Sequence, residues 1–82
     1  MLKDCKKIEI NQEYSEVEQF MSEYIDSSRV DVGYRDQGTI PLQPEIRYEK
    51  ALGLQTTSLT DVIQCNIYFV KDRVVHVQTI GD

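Results

Sequence analysis

Residues 63–80, IQCNIYFVKDRVVHVQTI, hold the most informative pattern in this chain. Ile63, Cys65, Ile67 and Phe69 alternate with Gln64, Asn66 and Tyr68, so one face of a strand is apolar and the other polar. A second apolar-rich run, Val74 to Ile80, follows within a few residues and makes the pair a hairpin. The pattern also selects a register. A two-residue loop at Lys71-Asp72 sets Ile67 against His76 and Cys65 against Gln78, mixing polar groups into the core face. A three-residue loop, Lys71 to Arg73, pairs Phe69 with Val75, Ile67 with Val77 and Cys65 with Thr79. It also sets Tyr68 beside His76 and Asn66 beside Gln78. A slip of one residue flips every side chain, so the second pairing is expected, although this loop lacks the glycine that a left-handed position favours.

Working back from the hairpin, Pro44 suits the first turn of a short helix and Gly53 its end, which predicts a helix at about 44–52. A strand through Ile46 and Tyr48 is the rival. Pro41 and Pro44 exclude a regular central strand over 36–43, which reads as loop or edge after the turn Asp36-Gln37-Gly38. Arg29 to Arg35 reads as a strand with Val30, Val32 and Tyr34 on one side.

Residues Glu13 to Asp26 read as a single amphipathic helix. At about 100° per residue, Tyr14, Val17, Phe20, Met21, Tyr24 and Ile25 share one arc, and Glu16, Gln19, Glu23 and Asp26 lie opposite. Asn11 offers one N-cap, and Ser15 with Glu18 offers a capping box one turn later; the sequence does not choose between them. Ile8 and Ile10 alternate with Lys7 and Glu9, which predicts a short strand at about 5–10. The expected fold is α+β, one domain over residues 1–82: a small antiparallel sheet, one face covered by a long acidic helix, the other at least partly open, with the second short helix at 44–52.

Charge is the second informative feature. The formal net charge is -5, and residues 13–26 alone hold Glu13, Glu16, Glu18, Glu23 and Asp26 with no Lys or Arg. Surface helices ordinarily mix signs, because Glu–Lys pairs four apart stabilise by a few tenths of a kcal/mol. Glu23 and Asp26 also stand near the negative end of the expected helix, at a cost of up to about 1 kcal/mol each. Five acids over about 20 Å of helix fall well short of the roughly twelve charges on the same length of duplex DNA. That density is too low for duplex mimicry but suits one basic patch on a protein.

Other chemistries leave no comparable mark. An acidic chain without clustered Lys and Arg is not expected to bind nucleic acid directly. Glycines 33, 38, 53 and 81 form no phosphate loop, and no paired-carboxylate, G-x-S-x-G or H-E-x-x-H motif is present. Cys5 and Cys65 stand far apart and, in a reducing cytosol, are expected as two separate buried thiols; with only His76 beside them, no zinc site is expected. No secretory signal or membrane span is read, which predicts a cytoplasmic protein in its own cell or a host's. No cofactor is implied.

These observations point to a non-enzymatic interaction module, an adaptor or an inhibitor, including a phage-type inhibitor of a nucleic-acid enzyme or a toxin-neutralising partner. It would engage a basic protein surface through Glu16, Glu23 and Asp26, with Glu13 and Glu18 flanking. The competing reading is a ligand-binding or enzymatic domain using the open sheet face at Tyr68, His76, Asn66 and Gln78. A third is a homo-oligomer paired through the edge Val74–Ile80. Tyr34, Tyr48 and Tyr68 are the tyrosines expected to be free as interface anchors.

Overall fold

The β5–β6 hairpin, β5 (Gln64–Val70) and β6 (Arg73–Ile80), is where expectation and structure meet most closely. The computed structural model describes residues 2–41, 43–56 and 64–80; Ile63, the first residue of the expected hairpin, lies outside them. Cys65 pairs with Thr79, Asn66 with Gln78, Ile67 with Val77 and Tyr68 with His76, as the alternation requires. Phe69 departs from expectation and pairs with Val74, because the turn holds two residues and Val75 is inserted as a bulge. Lys71 (φ 52°) and Asp72 (φ 61°) are both left-handed, the geometry of a type I′ turn. That conformation costs a non-glycine residue about 1–2 kcal/mol. The Lys71 N–H donates to Glu49 Oε1 at 2.7 Å, and Asp72 Oδ1 holds Lys50 Nζ at 2.6 Å, which offsets part of it. The bulge then restores the register that a three-residue loop would have given.

The main sheet is antiparallel with order β1-β4-β5-β6, where β1 is Val30–Arg35 and β4 is Lys50–Thr56. The β1 strand matches its expected range within a residue. The short helix expected at 44–52 is absent. That region forms β3 (Gln43–Tyr48) and the start of β4, and β3 pairs with β2 (Gly38–Ile40) in a separate two-stranded ribbon. In such a ribbon both strands are edges, so Pro44 fits without breaking a ladder. Ile46 and Tyr48 point inward from β3 while Glu45 and Arg47 stay exposed, the alternation of the rival strand reading. Tyr48 lies so close over Gly38 that a Cβ there would meet its ring at 2.7 Å.

The long helix is also corrected. The segment divides into α1 (Tyr14–Phe20) and α2 (Ser22–Ile25), with Met21 between them at φ -94°, ψ 9°. Helices this short are marginal alone; they are held by burial of Val17 and Met21 against the sheet. Tyr14, Tyr24 and Ile25 pack at the margin as the periodicity predicts, but Phe20 is largely exposed. The expected strand at 5–10 is a 3₁₀ helix (Leu2–Lys7) followed by a turn in which Asn11 is left-handed at φ 75°. The fold is therefore mostly β, not a sheet under one long helix.

Two cores flank the sheet. On one face Leu52, Leu54, Cys65, Ile67, Phe69 and Val74 pack against Ile8, Val17 and Met21. On the other, Ile40 and Tyr48 of the ribbon cover Ala51 and Tyr68. Cys5 and Cys65 are joined in a disulfide (Cα–Cα 6.4 Å), so the expectation of two separate thiols is overturned. The 3₁₀ helix brings Cys5 onto the helix-side core beside Cys65, an approach that two residues 60 apart in sequence do not announce. Among the described residues no helix is long and apolar enough to cross a membrane.

Candidate functional site

The acidic residues of α1 and α2 do not act as one group. Glu13 is the α1 N-cap residue, and its carboxylate lies 3.3 Å from the Arg73 guanidinium at the start of β6. Glu18 faces Tyr14 and Lys50; with burial of the ring, which is the larger effect, its charge raises the Tyr14 hydroxyl above its ordinary value. Glu16, Glu23 and Asp26 are exposed, and none of them forms an ion pair with a described residue. The break at Met21 also changes their electrostatics. Glu23 now stands in the first turn of α2, where a negative charge is favoured, and only Asp26 remains at a C-terminal end.

Beside α1, a groove of about 340 Å³ is lined by Glu13, Tyr14, Ser15, Lys50, Asp72 and Arg73, together with Lys71. Lys50 Nζ sits 4.4 Å from the Tyr14 ring centroid, a cation–π contact, as well as beside Asp72. The Asp72 carboxylate, more than the ring, raises the Lys50 ammonium above its usual value. Arg73 Nη1 donates to the Asn11 carbonyl at 2.9 Å. These pairs match most of the groove's charges internally, so it reads as a clamp between the start of α1 and the hairpin turn. No sequence motif signals it, because its parts come from residues 13–15, 50 and 71–73.

On the opposite face, the sheet brings the four polar residues of the alternative site together. The Tyr68 and His76 rings lie 5.9 Å apart, and Gln78 Oε1 accepts from Tyr68 OH (3.4 Å) and Asn66 Nδ2 (3.5 Å). The face is not open there, however. Tyr68 is 1% exposed, under Ile40 and Tyr48 of the ribbon, and Asn66 is 8% exposed. Burial drives the Tyr68 hydroxyl above its ordinary value, with the nearby Arg35 charge acting the other way. Tyr48 is likewise buried, so of the three tyrosines expected as anchors only Tyr34, 59% exposed, meets solvent broadly.

Among the described residues no three His, Cys, Asp or Glu side chains gather at metal-binding distance. Cys5 and Cys65, bound to each other, offer no thiolate nucleophile. Comparison with family models, with curated proteins and with solved structures finds no match to this chain.

Proposed function

We propose that this protein is a non-enzymatic interaction module that engages a basic surface on another protein through Glu16, Glu23 and Asp26. The observation that carries the reading is their state in the fold: three exposed carboxylates with no cation partner among the described residues, whereas Glu13 and Asp72 are both paired. Unpaired charge of one sign on a small domain raises the encounter rate with an oppositely charged partner, and that gain falls as salt rises. Glu13 and Glu18 leave the proposed contact set, the first held by Arg73 and the second turned toward Tyr14 and Lys50. Adaptor and inhibitor roles both use such a surface. The disulfide favours action in an oxidising setting over the reducing cytosol.

The test compares wild type with an E16K/E23K/D26K variant as bait, at low and high salt, after circular dichroism has shown that both fold. A partner held by wild type at low salt and released by salt or by the variant supports the reading. Equal recovery by both proteins, or recovery indifferent to salt, removes it.

A further inference from the structure

Strand β1 is an outer strand of the main sheet, and no described residue pairs with its free side. Its register against β4 is unbroken from Val30–Thr56 to Arg35–Ala51. It carries no proline or bulge, two common protections of an exposed edge, and its two charges, Asp31 and Arg35, are of opposite sign. The Val30 N–H turns away from β4 to the Ser27 carbonyl at 3.3 Å. Successive strand residues aim their N–H and C=O to alternate sides, so Val32 and Tyr34 also present theirs outward.

Gly33 stands at the middle of this edge. Its backbone is not left-handed, and a Cβ built on it would meet nothing within 4 Å. Among the described residues nothing gives a steric or conformational reason for glycine there, although glycine inside a strand costs roughly 0.5–1 kcal/mol relative to alanine. Such a glycine often marks a place where another backbone comes close.

We propose that β1 pairs with β1 of a second copy of this chain, antiparallel and centred on Gly33, joining two four-stranded sheets into one. The strand is complementary to itself in this register. Asp31 lies opposite the partner's Arg35, and Arg35 opposite the partner's Asp31; all are exposed, and neither residue has an ion pair with a described residue of its own chain. Val32, half-buried on the helix-side core, lies opposite the partner's Tyr34 and is covered by that exposed ring. Opposite charges and aromatic–β-branched pairs are both favourable cross-strand neighbours. The outward groups agree with the register as well. Val32 and the partner's Tyr34 exchange both N–H···O bonds, while Asp31–Arg35 and the two glycines form the closely spaced pairs between them.

Neighbouring registers are worse. A slip of one residue sets outward groups against inward ones. Moving the centre to Val32 brings Arg29 against the partner's Arg35, and moving it to Tyr34 sets Val32 against the partner's Asp36. Charge and hydrogen-bond direction therefore select one pairing.

The test is sedimentation equilibrium over a concentration series for wild type, D31R, R35D and an equimolar mixture of the two variants. Circular dichroism and thermal melting confirm that the variants fold, as expected for exposed positions that form no ion pair with a described residue. Wild type is expected to form a dimer. Each variant sets like charges face to face at both ends of the ladder and is expected to weaken self-association at least tenfold. The mixture again opposes unlike charges and is expected to recover a one-to-one dimer. A wild type that stays monomeric to millimolar concentration overturns the proposal. So does a dimer that R35D leaves unchanged, or a mixture that associates no better than either variant.

Discussion

At the β6 edge of the main sheet, Asn11 donates to the Val74 carbonyl (2.8 Å), Val74 donates to the Gln12 carbonyl (2.9 Å), and Glu13 bridges to Arg73. At the β1 edge no described residue does the same for Val32 or Tyr34. The β6 edge is further twisted by the bulge at Val75 and fastened by the Arg73 guanidinium, whereas β1 runs regular with no described residue paired to its free side. Both are outer strands of one sheet, and composition alone does not distinguish them. What separates them is a segment that precedes α1 and folds back across the start of β6. An edge is protected by what the rest of the chain lays against it, and among the described residues only the start of β6 receives that cover.

The largest expected effect comes from cutting the tether of that cover. Replacing the disulfide with C5A/C65A is expected to cost about 2–5 kcal/mol, or of the order of 10–30 °C in Tm. Freed of Cys65, the N-terminal segment lies less firmly on the start of β6, and a second edge opens along its full length. Sedimentation of the variant is then expected to show species beyond a dimer, since two free edges propagate where one closes. A variant that melts like wild type and assembles no further would mean that the segment holds itself in place.

A smaller change is expected from R73A. It removes the bond to the Asn11 carbonyl and the Glu13 pair, both exposed, at about 0.5–1.5 kcal/mol together. Amide hydrogen exchange makes the comparison sharper. The Val74 amide is expected to lose protection in R73A. The Val32 and Tyr34 amides are expected to respond only to protein concentration, exchanging fast when dilute and slowly when paired.

The smallest effect is a pH dependence of the same cover. The Tyr24 hydroxyl donates to Asp4 Oδ2 at 2.8 Å, tying the 3₁₀ helix to α2, and Lys7 lies 3.2 Å away. First the Tyr24 hydrogen bond, then Lys7, holds the Asp4 carboxyl below its ordinary value of 3.8. A carboxylate with a depressed folded value lends its full stabilisation above its unfolded value and loses it as pH falls through the folded one. Loosening of the N-terminal segment is therefore expected below about pH 4, read as faster exchange of the Asn11 and Val74 amides. Y24F is expected to reduce that dependence. At alkaline pH the sign reverses for Tyr14, Tyr24 and Tyr68. Burial is the first cause of each raised hydroxyl, so stability is held below pH 10 and falls as pH rises past the ordinary tyrosine value, checked by thermal melts against absorbance titration.

Much of the sheet was legible residue by residue. The alternation at Cys65, Ile67 and Phe69 placed one face of β5 on the core, and it located Tyr68 beside His76 and Asn66 beside Gln78. Val30, Val32 and Tyr34 likewise marked β1. The helix stripe was correct for Tyr14, Val17, Met21, Tyr24 and Ile25 but wrong for Phe20, which is exposed, and wrong in its continuity, because nothing in the side-chain period reveals that Met21 leaves helical geometry. Residues 44–52 were misread because Pro44 and Gly53 carry two meanings. Proline opens a helix or sits on an edge strand, and glycine ends a helix or lies within a strand. Of the candidate acidic site, exposure of Glu16, Glu23 and Asp26 followed from the helical period, but capture of Glu13 by Arg73 did not.

Local periodicity and charge order are properties of neighbouring residues, so the sequence by itself determined the hairpin, its face assignment, the amphipathic acidic segment and the self-complementary order of Asp31, Val32, Gly33, Tyr34 and Arg35. Contacts between distant segments depend on how whole elements pack. The disulfide, the cover on the start of β6, the ribbon over Tyr68 and the outer place of β1 in the sheet were therefore decided only by the tertiary structure.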